Sequence, residues 1–128
     1  MSNGLSDALG TRQWKKLCSS NNNSKMTKKE YFEFHRSCIE KMSKITEAKN
    51  ADYTGVGDDP FSNFTRVEAV GICSTEQGFL TRMMDKISRI NSFVQKGELQ
   101  VKDESVEDTL LDLANYAILF AGYVRSKK

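Results

Sequence analysis

One proline and eight glycines in 128 residues are too few turn formers for an all-β chain, which needs a tight turn every few residues. Histidine is nearly absent as well. A Cys/His zinc site would need His35 and all three cysteines at once, and Cys18 stands in a polar N-terminal stretch. Cys18, Cys38 and Cys73 are odd in number, far apart and form no C-x-x-C pair. They read as free thiols of a reducing compartment, and the chain as cytoplasmic. A Cys38–His35 pair on one helix face lacks the third, orienting group of a nucleophilic site. No apolar run is long enough to span a bilayer: Leu110 to Val124 comes closest, and Asp112 and Asn115 interrupt it. The start, Met1 to Gly10, lacks the basic segment and apolar run of a secretory signal. Neither glycine-rich phosphate loop, G-x-x-x-x-G-K-[ST] or G-x-G-x-x-G, occurs. An excess of one charge is missing too. The formal charge is +2, of which residues 1–26 supply +3 and the remainder −1. A nearly neutral body carries no electrostatic footprint for duplex DNA, but it is compatible with a small anion gripped by a few local cations.

The residues present are 38% hydrophobic and 28% charged, which supports one small core and one domain. Residues 1–26, rich in Ser, Asn and Lys, read as a flexible tail with Trp14 as its one large apolar anchor. Residues 27–128 read as a single all-α domain. Thr27 and Glu30 form a capping box ahead of a helix to about Lys49, with Phe32, Cys38, Ile39, Met42 and Ile45 at helical spacing. Lys49 to Pro60 reads as the longest loop. Asp59-Pro60 then looks like a cap and first helical residue for a short helix from Phe61 to about Val70, stopped by Gly71. Ser74 and Gln77 form a second capping box, opening a helix to Lys96 with Gly97 as the stop. Its core face is Phe79, Leu80, Met83, Met84, Ile87, Ile90 and Phe93. Ser105 and Asp108 open the last helix, which runs to about Arg125 and reads as a buried core helix. The expected fold is a bundle of three long helices and one short one. The last helix is apolar almost all round, more than three neighbours can bury, so a homo-oligomer is expected.

Two polar constellations stand out. On the last helix Asp108, Asp112 and Asn115 share one face, with Glu104 and Glu107 near its start. Arg82, Lys86 and Arg89 have the same spacing on the preceding helix. Packed antiparallel, the two stripes form either a salt-bridge seam that fixes register or a polar pocket for a phosphate. The second constellation is the loop with Lys49, Asn50, Asp52 and Tyr53, then Phe61, Asn63 and Phe64. Rings can stack on a base and amides can read its edge. A loop packed by its own aromatics accounts for the same residues.

The stretches KNADYTGVGDDPFSNFTRVEAVGI, TRMMDKISRI and VKDESVEDTLLDLANYA, taken in order, resemble the first nucleotide-modification-associated domain, a small helical family of phages and phage-like elements. The likeness spans roughly residues 30–126. It implies a role near nucleotide metabolism. It places Lys49, Asp52, Tyr53, Phe61, Asn63 and Phe64 in the family's loop block, and Lys86 and Arg89 in its middle helix. Glu104, Glu107, Asp108, Asp112, Asn115 and Tyr116 fall in its last helix. A more distant likeness is to the MazG-type all-α nucleoside triphosphate pyrophosphohydrolases, in which E-E-x-x-E and E-x-x-D hold magnesium on the triphosphate. Asp112-Leu-Ala-Asn-Tyr116 is similar to the end of the second motif, but Thr109 stands where that motif has glutamate, and the Arg82–Ile87 stretch has no paired glutamates.

The resemblance implies a nucleotide pyrophosphohydrolase or a related nucleotide-modifying activity. Asp108 and Asp112 would be the catalytic acids, joined by Glu104 and Glu107 in holding Mg2+, with Arg82, Lys86 and Arg89 on the phosphates. One alternative is a protein that binds or sequesters a nucleotide, or another phosphorylated small molecule, without turnover. The other is an interaction protein whose polar seam only specifies packing.

Overall fold

The structure is a computed structural model that describes residues 25–54, 57–97 and 105–128. Among these, all regular structure is helical: α1 (Lys28–Thr54), α2 (Ser62–Ala69), α3 (Thr75–Lys96) and α4 (Val106–Ser126). The described residues are therefore all-α, with three long helices and one short one. None of the helices is long and apolar enough to cross a membrane. Residues 1–24, most of the stretch expected to be a tail and including Trp14 and Cys18, lie outside the described residues. Cys38 and Cys73 are free thiols.

The helix ends follow local chemistry. Ser74 and Gln77 make a complete capping box: the Gln77 N–H donates to Ser74 Oγ at 3.1 Å and the Ser74 N–H to Gln77 Oε1 at 3.0 Å. Ser105 Oγ accepts from the Asp108 N–H at 3.0 Å. At Thr27 only half a box forms. The Glu30 N–H donates to Thr27 Oγ1, but the Glu30 carboxylate takes the Thr27 hydroxyl instead of the backbone N–H. Gly71 and Gly97 stop their helices at φ of +83° and +79°, backbone that a side chain would strain.

Two boundaries differ from expectation. α1 runs through Lys49 to Thr54, so Lys49, Asn50, Asp52 and Tyr53 lie on its last turns and not in a loop. Ala51 and the absence of a breaker before Gly55 let the helix continue. α2 begins at Ser62 with Phe61 as its N-cap. Asp59 instead accepts the Phe61 N–H at 2.9 Å, which closes a turn ahead of the helix.

The core is small. Phe64, Phe79 and Tyr123 are buried, with Phe61, Tyr116, Leu119 and Phe120 packed around them. Phe79 lies between two nearly parallel rings, Phe64 at 4.0 Å and Phe120 at 4.7 Å between centroids. α3 and α4 run antiparallel through this stack, and α2 folds back along α3. Gly78 permits that close approach: a Cβ there would sit 3.1 Å from Val67 Cγ2. α1 covers the same side of the α3/α4 pair as α2 and packs through its C-terminal half.

The apolar stripes are wider than this core. Leu80 and Met84 of α3 are about half exposed and Ile87 nearly so, whereas sequence spacing places all three in the core. Phe32 and Ile39 of α1 are exposed too, as are Leu110, Ile118 and Val124 of α4. α4 is thus a core helix on one side only, because α1 and α2 both lie across the same face of the α3/α4 pair.

Candidate functional site

All four helices contribute to one open cleft, with about 580 Å3 of empty space that includes its open mouth. α1 lines it with Thr46, Lys49 and Asn50. Pro60, Asn63 and Phe64 come from α2 and the turn before it. α3 supplies Arg82, and α4 supplies Asp112, Asn115, Tyr116 and Leu119. The late end of α1 therefore builds a wall of the cleft: Asn50 Nδ2 donates to the Pro60 carbonyl at 2.9 Å, holding the turn against the helix. Asn115 Nδ2 donates to the Met42 carbonyl at 3.3 Å and ties α4 to α1.

Asp112 is the electrostatic centre. Its Oδ1 lies 3.2 Å from Lys49 Nζ and its Oδ2 lies 3.1 Å from Lys86 Nζ. The Lys86 and Asp112 side chains are only 12% and 14% exposed, while Lys49 is 46% exposed. One carboxylate thus holds two ammonium groups, one from each flanking helix. Across the cleft Arg82 has no hydrogen bond or ion pair among the described residues. Among the residues that line the cleft, two cations, Lys49 and Arg82, stand against one anion, Asp112, above a wall of Pro60, Tyr116 and Leu119.

Not every expected residue is brought here. Asp108, one turn before Asp112, pairs with Lys41 Nζ at 3.1 Å. That hydrogen bond, with one from Ser105, holds the Asp108 carboxyl below the usual carboxylate range and raises the Lys41 ammonium above its ordinary value. Arg89 has its Nε 4.0 Å from Asp85 of its own helix. Phe61 packs edge-on against Tyr123 and over Gly122, in the aromatic cluster. Asp52 is exposed on the last turns of α1, and Glu107 is exposed at the start of α4. Glu104 and the Tyr53 side chain lie outside the described residues. Of the stripe on α3, Arg82 reaches the cleft directly and Lys86 through Asp112.

Sequence reasoning missed Lys41, Thr46 and Leu119. Lys41 and Lys49 stand eight residues apart on one face of α1. With a helix assumed through Thr54, that pair is a visible match for Asp108 and Asp112.

The acids of α4 fit a resident magnesium ion poorly. Such an ion takes one or two carboxylates plus substrate phosphates, and here Asp108 and Asp112 already pair with lysines of the chain. No group of three or more His, Cys, Asp or Glu side chains suited to a metal occurs among the described residues.

The fold thus defines a small helical domain with an open cleft lined by Lys49, Arg82 and Asp112. Residues 75–121, which cover α3 and most of α4, match the family model described as nucleotide modification associated domain 1. The residues that α1 and α2 bring to the cleft lie outside the matched stretch. No curated protein and no solved structure matches the chain.

Proposed function

We propose that this chain is a nucleotide-binding protein and that the cleft holds the nucleotide through its phosphate. One observation carries the reading: a guanidinium without a partner among the described residues, Arg82, opens on the same cleft as the half-exposed ammonium of Lys49, with Asp112 the one carboxylate among the lining residues. Arginine suits phosphate because its planar fork gives paired donors. Lys49, half exposed, can turn from Asp112 to a phosphate without leaving the carboxylate unpaired, since Lys86 remains. The wall of Pro60, Tyr116 and Leu119 suits the less polar sugar and base, and the Asn63 amide adds donor and acceptor capacity. The family model matched by α3 and α4 carries a nucleotide-related description, which supports the same class of ligand.

In this reading Asp108 and Asp112 are counter-ions that hold lysines in place. A pyrophosphohydrolase of the magnesium type would draw Asp108 or Asp112 away from its lysines to a metal. The reading is therefore binding without turnover.

The test is a mass balance. The purified chain is incubated with a mixed pool of ribo- and deoxyribonucleotides, with and without magnesium, and then ultrafiltered. Mass spectrometry quantifies the filtrate and, after denaturation, the retained fraction. A nucleotide depleted from the filtrate and released intact is the expected result, with retention lost in Arg82→Ala. A ligand at 100-fold its Kd would also stabilise the fold by about 2.7 kcal/mol, which thermal melting reads directly. Conversion to a monophosphate would replace the binding reading with the hydrolase one. Retention of nothing, with no melting shift across the pool, would end both.

A further inference from the structure

The α3/α4 pair has a second face, about half a turn round from the cleft. In a helix each residue advances about 100°, so Leu80 and Met84 point nearly opposite to Arg82. Leu110 stands in the same relation to Asp112. This face is apolar and bare: Leu80 is 54% exposed, Ile118 64% and Leu110 46%. Its spacing is that of a helix–helix seam. On α4, Leu110, Ala114, Ala117, Ala121 and Val124 alternate steps of four and three, the 3.5-residue period of coiled coils. Leu80, Met84 and Ile87 repeat that step on α3.

We propose that a second copy of this chain covers this face, with the two α4 helices antiparallel across a two-fold axis near Ala117. Two features choose the occupant. The α4 seam reads large, small, small, small, large, so it is its own complement when reversed: Leu110 of one copy meets Val124 of the other, and alanine meets alanine. Charge gives the same orientation. No residue of α4 between Asp112 and Arg125 is charged, while exposed Glu107 stands at one end of the face and exposed Arg125 and Lys128 at the other. Antiparallel pairing sets each Glu107 beside the opposing cations, and a parallel one sets like against like. Half-exposed large side chains and the alanines between them offer on the order of 600 Å2 per copy, so about 1,200 Å2 in all, the lower edge of a stable interface. The resulting dimer is a four-helix layer with its two clefts facing outward, and it does not depend on what the clefts bind.

Analytical ultracentrifugation of the full chain at micromolar concentration tests this. Wild type should sediment as two chains. Ala117→Glu and Ile118→Lys change exposed positions of the single chain, so helicity should persist by circular dichroism while dissociation strengthens on the order of 100-fold. Glu107→Arg should raise the dissociation constant about tenfold, and Glu107→Arg with Arg125→Glu should restore it. Phe32→Glu on α1 should leave the dimer intact. A monomeric wild type overturns the proposal. So does a dimer that survives both seam substitutions, or one that Phe32→Glu dissolves, which would move the interface to α1.

Discussion

Removing the Asp112 carboxylate should cost more stability than removing any other charge at the cleft. Two cations lose a carboxylate partner, and one of them has little water to turn to: the Lys86 side chain is 12% exposed. Breaking a buried ion pair by deleting one partner costs about 3–5 kcal/mol where the remaining charge has no other partner. Lys86 makes a further interaction besides that with Asp112, which reduces that figure. The Lys49 contact, nearly half exposed, adds at most about 1 kcal/mol. Asp112→Ala should therefore lose about 2–3 kcal/mol in urea unfolding at pH 7 and in low salt. Lys86→Met should lose less, since Asp112 keeps Lys49. The double variant Asp112→Leu with Lys86→Met should be more stable than the sum of its parts, with a coupling energy of at least about 1.5 kcal/mol. If Asp112→Ala falls within about 0.5 kcal/mol of wild type, or the coupling is of that size, the carboxylate does not organise the lysines and the electrostatic account of the cleft is wrong.

Phe79→Leu keeps an apolar side chain but removes two stacked ring pairs, worth about 0.5–1.5 kcal/mol each, so the urea midpoint should fall by an equivalent of about 1–3 kcal/mol with little change in slope. Ser74→Ala deletes the capping box at the start of α3 and should cost about 1 kcal/mol, measurable as a drop in Tm. Stability should also fall in acid. Glu68 accepts the N–H of buried Thr75 at 2.8 Å, a bond that lowers its pKa, as the Lys41 hydrogen bond lowers that of Asp108. Both contributions are fully present above the ordinary values of 4.5 and 3.8 and are lost as pH falls through the lowered folded-state values. Glu68→Gln should flatten part of that acid limb in a pH series of thermal melts.

Much of the fold is legible in the sequence because its punctuation is local. Ser74, Gln77, Gly97 and Ser105 act within one turn of themselves, and the helices start and stop where those residues require. The end of α1 is less legible. Lys49-Asn-Ala-Asp-Tyr-Thr54 has loop-like composition but no breaker, so tertiary packing decides it, and Asn50 is held by the distant Pro60 carbonyl. The cleft shows the same division. Lys86 facing Asp112 follows from matched spacing on two antiparallel helices. Asp108 meeting Lys41 depends on where α1 crosses α4, which no single-helix pattern contains. The apolar stripes mislead for a further reason. Periodicity identifies residues that avoid water without saying which neighbour shields them, so Leu80, Met84 and Ile87 look like core although one chain leaves them exposed.

The same limit explains why an aspartate on α4 supports two opposite roles from sequence alone. A carboxylate at Asp112 is as good a ligand for a cation from solution as for a lysine, and its position on the helix does not distinguish them. Its neighbours favour one of them. With Lys49 and Lys86 within 3.2 Å, its charge is already met by the chain, and in the binding reading proposed above what faces an incoming phosphate is Arg82. Fold stability and ligand affinity then respond to its removal with opposite signs: the bundle weakens, while the cleft becomes more positive and grips an anion more tightly. A metal ligand in the same place would make both fall together. Asp112→Asn, which keeps the shape and removes the charge, separates the two roles by the direction of the change in nucleotide affinity.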